Sequence, residues 1–304
     1  MGSAEPRAKG PSAHDAAVHL SGKIGSRAAG GSGERRAHSY VARQFDAAGL
    51  KVTVSKFGVP GRGKSRNVIG EFDGPGDCLL ILMAHTDSVP PGTGANDNAS
   101  GVGVLVALAP QVASLKPDCD VWLVATGAEE RVVIGTSYHV GAAALVKTVK
   151  SQGRAGDLHF ALSADMVGRG KRFYLRSPEP GVRPAVEGQI LAAANDADVT
   201  VNWERDSGSG NSDHREFELL GLPATKLGVG AGGEPCRHSP CDRPERLDPV
   251  SLRLARRIVE SALGVGGQLS RHSFDRVQQP FDRRLVGSRR HHRHTQPAPA
   301  VDLR

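Results

Sequence analysis

Three short, almost uninterrupted apolar runs constrain this chain more than any other feature: CLLILMA at 78–84, VWLVAT at 121–126 and LHFALSA at 158–164. Runs of this length without polar alternation suit strands buried on both faces. Segments of helical character lie between them, ASGVGVLVALAPQVAS at 99–114 and TSYHVGAAALVKTVK at 136–150. Strand–helix–strand alternation implies a mostly parallel sheet with helices over both sides, an α/β architecture. Upstream, Ala37, Tyr40, Val41, Phe45 and Ala48 fall at helical spacing, with Ser32 as candidate cap and Gly49 as stop. LKVTVSKF alternates as a half-buried strand does, and NVIGEF at 67–72 reads as a second. Downstream, PAVEGQILAAAND, VTVNW, HREFELLG, PATKLGV and DPVSLRLARRIVESALG continue the alternation to about residue 264. The expected organisation is a flexible leader at 1–12, one domain at 13–264 and a basic, disordered tail at 265–304.

The net charge of +7 is largely a property of that tail, where residues 271–304 are rich in Arg and His and poor in periodic apolar residues. Such a segment reads as solvated. It lacks the regular aromatic interleaving that stacks on bases, so no nucleic-acid partner is expected. No run approaches the roughly 20 apolar residues of a membrane span. The start, MGSAEPRAKGPSAHD, carries no apolar signal-peptide stretch.

Each apolar run leads straight into residues that bind metals or move protons. The first continues into His85 and Asp87, the second into Glu129 and Glu130, the third into Asp165. Ligands of open parallel sheets bind beyond the carboxyl ends of the strands, so these residues are expected in one crevice. The loop PPGTGANDNASG presents Asp97, and PCRHSPC, following another strand, presents His238. Singly each motif is weak: His-x-Asp occurs by chance, Glu-Glu is commonly a charged loop, and Asp97 would be a turn residue. Together, His85, Asp97, Glu130, Asp165 and His238 offer two imidazoles and three carboxylates. That set is too large for one tetrahedral zinc and suits two ions sharing a carboxylate. Asp87 is spaced to hold the second nitrogen of His85. By itself PCRHSPC reads three ways: a zinc fragment, a small disulfide loop, or a stapled ligand loop.

At these residues the chain resembles the secreted dizinc aminopeptidases of metallopeptidase family twenty-eight, the leucyl aminopeptidase type. The matching stretches AHTDSVPPGTGANDNASGVGVL, ATGAEE, ADMVG, SDHREFELLGLPA and CRHSPCDRPERLD fall in order across 84–248. HLSGKIGSRAAGGSGERRA is similar to the family's opening helices, which extends the resemblance over most of 15–263. It implies a three-layer α/β/α sandwich around a mixed, mostly parallel sheet. It also implies two Zn2+ per chain, other divalent metals being possible. His85 and Asp165 would hold one ion, Glu130 and His238 the other, and Asp97 would bridge them, with a cis bond between Asp97 and Asn98.

Glu129 would be the general base acting on a metal-bridging water. The implied substrates are peptides with a free N-terminus, their α-amino group held near Glu129 and Asp165, and the chain is expected to be a monomer. Alternatives are another dizinc hydrolase on the same scaffold, a carboxypeptidase or acyl-amino hydrolase, and an inactive binding domain.

Secreted relatives carry a disulfide at the spacing of Cys236 and Cys241. Cys78 and Cys119 open two buried strands and either pair or stay as thiols. Disulfide-type cysteines favour a secreted or cell-envelope location, with the cytoplasm as the alternative. Two departures stand out. Arg237 occupies a position where many relatives carry Tyr, so its guanidinium either stabilises charge on the substrate carbonyl or points to solvent. RVVIGTS follows GAEE where relatives have a shorter hydrophobic–Gly pattern.

Overall fold

This computed structural model describes residues 10–131, 137–206, 212–229 and 234–266. The expected leader lies mostly outside them, as does the expected tail apart from its first two positions. Residues 132–136, most of the RVVIGTS stretch, are also outside.

The chain opens with α1 (Ala13–Val18), capped by the Ser12 hydroxyl accepting the N–H of Asp15 at 3.1 Å, and α2 (Ser32–Ala47). Ser32 is the first residue of α2 and not its cap; Gly31 takes the cap position, and Gly49, at φ +82°, follows the helix end. Next come β1 (Lys51–Val59), β2 (Gly63–Phe72), β3 (Leu79–His85), α3 (Ser100–Leu115), β4 (Asp120–Thr126), α4 (Val140–Ser151) and β5 (Leu158–Ala164). The chain continues with β6 (Phe173–Ser177), α5 (Gln189–Asp196), β7 (Val201–Arg205), α6 (His214–Glu218), β8 (Ala224–Val229) and α7 (Pro249–Gly266). Strand β6 had no counterpart in the sequence reading. Helix α4 starts later than its composition suggests because His139 sits in the left-handed region, φ 55°.

The strands form one sheet in the order β1-β2-β4-β3-β5-β8-β6-β7. β4, β3, β5 and β8 run parallel, β6 and β7 run parallel to each other, and antiparallel pairings join β1 to β2, β2 to β4 and β6 to β8. The sheet is therefore mixed and mostly parallel, with a helical layer on each side. On one face Leu80, Leu82, Ala84, Val121 and Leu123 pack in one core with residues of α1, α2, α3, α5 and α7. On the other, Leu79, Ile81, Met83, Trp122 and Val124 pack with Leu145, Val146 and Val149 of α4 and Phe217 of α6. Successive side chains of β3 alternate between these cores, which explains a run with no polar position.

The helical stretch Ala95–Leu115 has the length and hydropathy of a membrane span, and the fold buries most of it in the first core. Its first turn presses against the end of β5. A Cβ on Gly101 would lie 2.2 Å from the Ala164 carbonyl oxygen, so only glycine permits this approach.

Parallel pairing of β3 with β4 sets Leu79 opposite Asp120 and so brings the preceding residues together. Cys78 and Cys119 form a disulfide with Cα atoms 4.6 Å apart. Cys236 and Cys241 form a second, which removes the zinc-fragment reading of PCRHSPC. The first bridge spans 41 residues and the second 5. Loop entropy makes these worth about 4 and about 2 kcal/mol respectively. Replacing Cys78 and Cys119 by Ser should lower the unfolding free energy about 2 kcal/mol more than replacing Cys236 and Cys241. Urea denaturation of the two double variants checks the difference.

Candidate metal centre

His85 is the last residue of β3, Glu129 and Glu130 follow β4 by a short turn, and Asp165 follows β5 directly. Because these strands are parallel neighbours, their carboxyl ends deliver all four side chains to one edge. Asp97 arrives from the loop before α3, and His238 from the disulfide-closed loop beyond β8. All are buried except His238, which is partly open to solvent. The turns are sharp: Ala128, Met166 and His238 adopt φ of 51°, 55° and 55°, and the Asp97–Asn98 bond is cis. Left-handed non-glycine residues are uncommon and cluster where a site over-determines the backbone.

The two oxygens of Asp97 face different imidazoles. Oδ1 lies 3.2 Å from Nε2 of His85, and Oδ2 lies 3.2 Å from Nε2 of His238. His85 Nε2 is also 3.7 Å from Asp165 Oδ1, and His238 Nε2 is 2.7 Å from Glu130 Oε1. Donor atoms around one tetrahedral zinc with bonds of about 2.0–2.1 Å lie roughly 3.3 Å apart. The observed separations bracket that value, and Asp165 Oδ1 is buried with no hydrogen-bond partner among the described residues. Nitrogen and carboxylate donors of this kind fit zinc. Glu129 is close enough to join His85 and Asp165 as a further donor group.

Asp87 meets the second nitrogen of His85 through its main chain. Its carboxylate is 3.6 Å from His85 Nδ1, too far for a hydrogen bond, while its own main-chain carbonyl is 3.2 Å from that nitrogen. The carboxylate instead accepts the backbone N–H groups of Glu129 at 3.0 Å and Glu130 at 2.9 Å. It thereby ties the end of β3 to the turn after β4. Arg237 does not simply point away: its Nε lies 3.3 Å from Asp97 Oδ2, with the side chain at the site mouth.

Residues that sequence reasoning missed complete the frame. The buried Arg27 guanidinium donates to five main-chain carbonyls, those of Leu20, Gly25, Thr86, Thr93 and Gly94. Asp242 accepts the N–H groups of Asn96 at 2.8 Å and Asp97 at 3.0 Å. His139 places Nε2 3.3 Å from Glu129 Oε1 and Nδ1 3.3 Å from Glu216 Oε1, and its N–H donates to the Glu129 carbonyl. Only an imidazolium can donate to both carboxylates. Burial works against that charge, but the two carboxylates raise the His139 pKa to about 10. Burial pushes Glu129 up to about 8, with His85 opposing and Glu130 adding to the rise. Asp97 moves the other way: burial would raise it, yet the contacts with His238 and His85 hold it well below the carboxylate range.

Comparison with known proteins decides the family, since the profile of peptidase family M28 matches residues 67–263. The chain belongs to peptidase family M28. Leupeptin-inactivating enzyme 1 of Streptomyces exfoliatus is 31% identical over 255 residues, 75% of this chain and 54% of that protein. The M28 chain thus spans about half the length of the curated relatives it matches.

Among solved structures, a zinc aminopeptidase from Bacillus subtilis superposes with a TM-score of 0.72 at 17% identity, covering 82% of this chain and 93% of that one. A glutaminyl cyclase from an Acidobacteriales bacterium gives 0.72 at 20% identity, covering 88% and 98%. These likenesses are of fold, and the fold serves more than one reaction, so the reaction must be argued from the M28 site itself.

Asp87→Asn would set an amide group against the N–H donors of Glu129 and Glu130. Supports of this kind are typically worth 10–100-fold in metal affinity. Competition with a zinc chelator should show a loss of about that size for the variant.

Proposed function

We propose that this chain is a zinc aminopeptidase that removes the N-terminal residue of peptides. The observation that carries the reading is Asp97, with one oxygen toward His85 and the other toward His238. In this reading two Zn2+ would bind per chain: His85 and Asp165 would hold one, Glu130 and His238 the other, and Asp97 would contribute to both. Bound there, the ions supply Lewis acidity, which polarises a carbonyl and acidifies water.

Glu129 accepts a proton from the attacking water at its carboxylate and returns it to the nitrogen of the leaving amine. The peptide bond breaks between carbonyl carbon and nitrogen, so the proton balance closes without another reactant. The His139 imidazolium and the Glu129 main chain fix where that carboxylate stands. A free α-amino group would lie beside the Glu129 carboxylate, which would account for action at the N-terminus. Arg237 supplies positive charge beside the position of the substrate carbonyl. Two disulfides support a working place in an oxidising compartment outside the cytoplasm.

Zinc analysis together with hydrolysis of leucine anilide and its N-acetylated form tests the reading. Two zincs and turnover of the free amine alone are expected. Turnover of the acetylated substrate would move the chain to acyl-amino hydrolysis. Full zinc loading with no turnover, unaffected by Glu129→Gln, would sink the enzyme reading. Glu129→Gln itself should lower kcat by roughly 10²–10⁴ with zinc retained. His139→Phe should lower kcat at least about tenfold at unchanged zinc content, and His139→Gln, which keeps a donor, should recover part of the loss. An unchanged kcat in His139→Phe would remove His139 from the catalytic frame.

A further inference from the structure

Lys226 is a lysine inside the sheet. It lies on β8 opposite Ser163 of β5 and Arg176 of β6, and its side chain is only 3% exposed. Lysine is almost never buried to this extent unless paired. Here the partner is a residue of the metal centre: Nζ lies 2.7 Å from Asp165 Oδ2. Gly228 is two residues further on and so on the same face. A Cβ there would meet Lys226 Cε at 3.5 Å and the Asp165 carbonyl oxygen at 3.0 Å. The lysine stem would be in ordinary contact with that Cβ, and the tight approach is to the Asp165 main chain.

The carboxylate is thereby divided. Oδ2 belongs to the ammonium group, and Oδ1 faces His85 Nε2 at 3.7 Å without a hydrogen-bond partner among the described residues. Asp97 is divided differently, with both oxygens turned toward imidazoles of the centre.

We propose that Lys226 is a positioning residue for the metal centre, fixing Asp165 so that it presents one oxygen, and one only, to the His85 half of the site. This rests on the reading of the centre as a two-zinc site. Without the ammonium group the carboxylate turns about its Cβ–Cγ bond, and the His85 half loses a preset donor. The Glu130–His238 half keeps its donors, since among the described residues the ion pair of Lys226 is with Asp165.

Stepwise titration of the metal-free full chain with Co2+, read by d–d absorption and chelator competition, tests this without using activity. The parent should take up two ions. Lys226→Met should hold one ion as the parent does and the second at least tenfold more weakly, while Lys226→Gln, which keeps an N–H donor, should lie between them. Combining Lys226→Met with Asp165→Asn should cost no more than Asp165→Asn alone. Two ions bound by Lys226→Met as tightly as by the parent would overturn the proposal, as would full additivity in the double variant. If Lys226→Met does not fold, Lys226→Gln decides: parental affinity for both ions overturns the proposal, and selective loss of one supports it. A parent that binds fewer than two ions refutes the two-zinc reading instead, so the two failures are distinguishable.

Discussion

A single carboxylate, that of Asp97, sits where every part of this structure meets. It is buried between two imidazoles delivered from opposite ends of the fold, one by the centre of the sheet and one by a disulfide-closed loop. Its backbone N–H is held by Asp242, the neighbouring Asn98 bonds the end of β5 through the Ala164 carbonyl, and Arg237 adds charge from outside. Burying that much negative charge is costly unless it is compensated. The compensation is distributed: Lys226 on Asp165, His139 on Glu129 and Arg237 on Asp97. Three acidic groups of the centre thus each have a defined cationic neighbour.

How much of this was legible in the sequence depends on how local each signal is. The continuous apolar runs of β3, β4 and β5 declare themselves because burial on both faces leaves no polar position. Once they are strands, the residues after them must converge. Strand β6 escaped because FYLRS mixes buried and half-buried positions over only five residues. The start of α4 was misplaced because the left-handed backbone of His139 has no signature in a non-glycine residue.

The supporting residues were illegible for a related reason. Arg27, His139, Lys226 and Asp242 each stand alone in the chain, and their partners are set by tertiary register. Lys226 reads as the polar residue of an ordinary strand until β8 is placed beside β5. Spacing placed Asp87 beside the second nitrogen of His85 but could not say which of its atoms would face the ring. Two residues of separation bring its carbonyl to the imidazole and send its carboxylate across to the next turn.

The Arg27 guanidinium has a consequence for where the domain can be cut. It gathers carbonyls from the opening helical segment and from both ends of the 86–94 loop, which runs between His85 and Asp97. A fragment cut to the 197 residues of 67–263, where the family profile matches, would contain all five candidate ligands. It would lack the Arg27 side chain, which cross-links that loop to the opening helical segment. The stretch by which the family is recognised therefore leaves out residues, Leu20, Gly25 and Arg27 among them, that brace the loop between two of the candidate ligands.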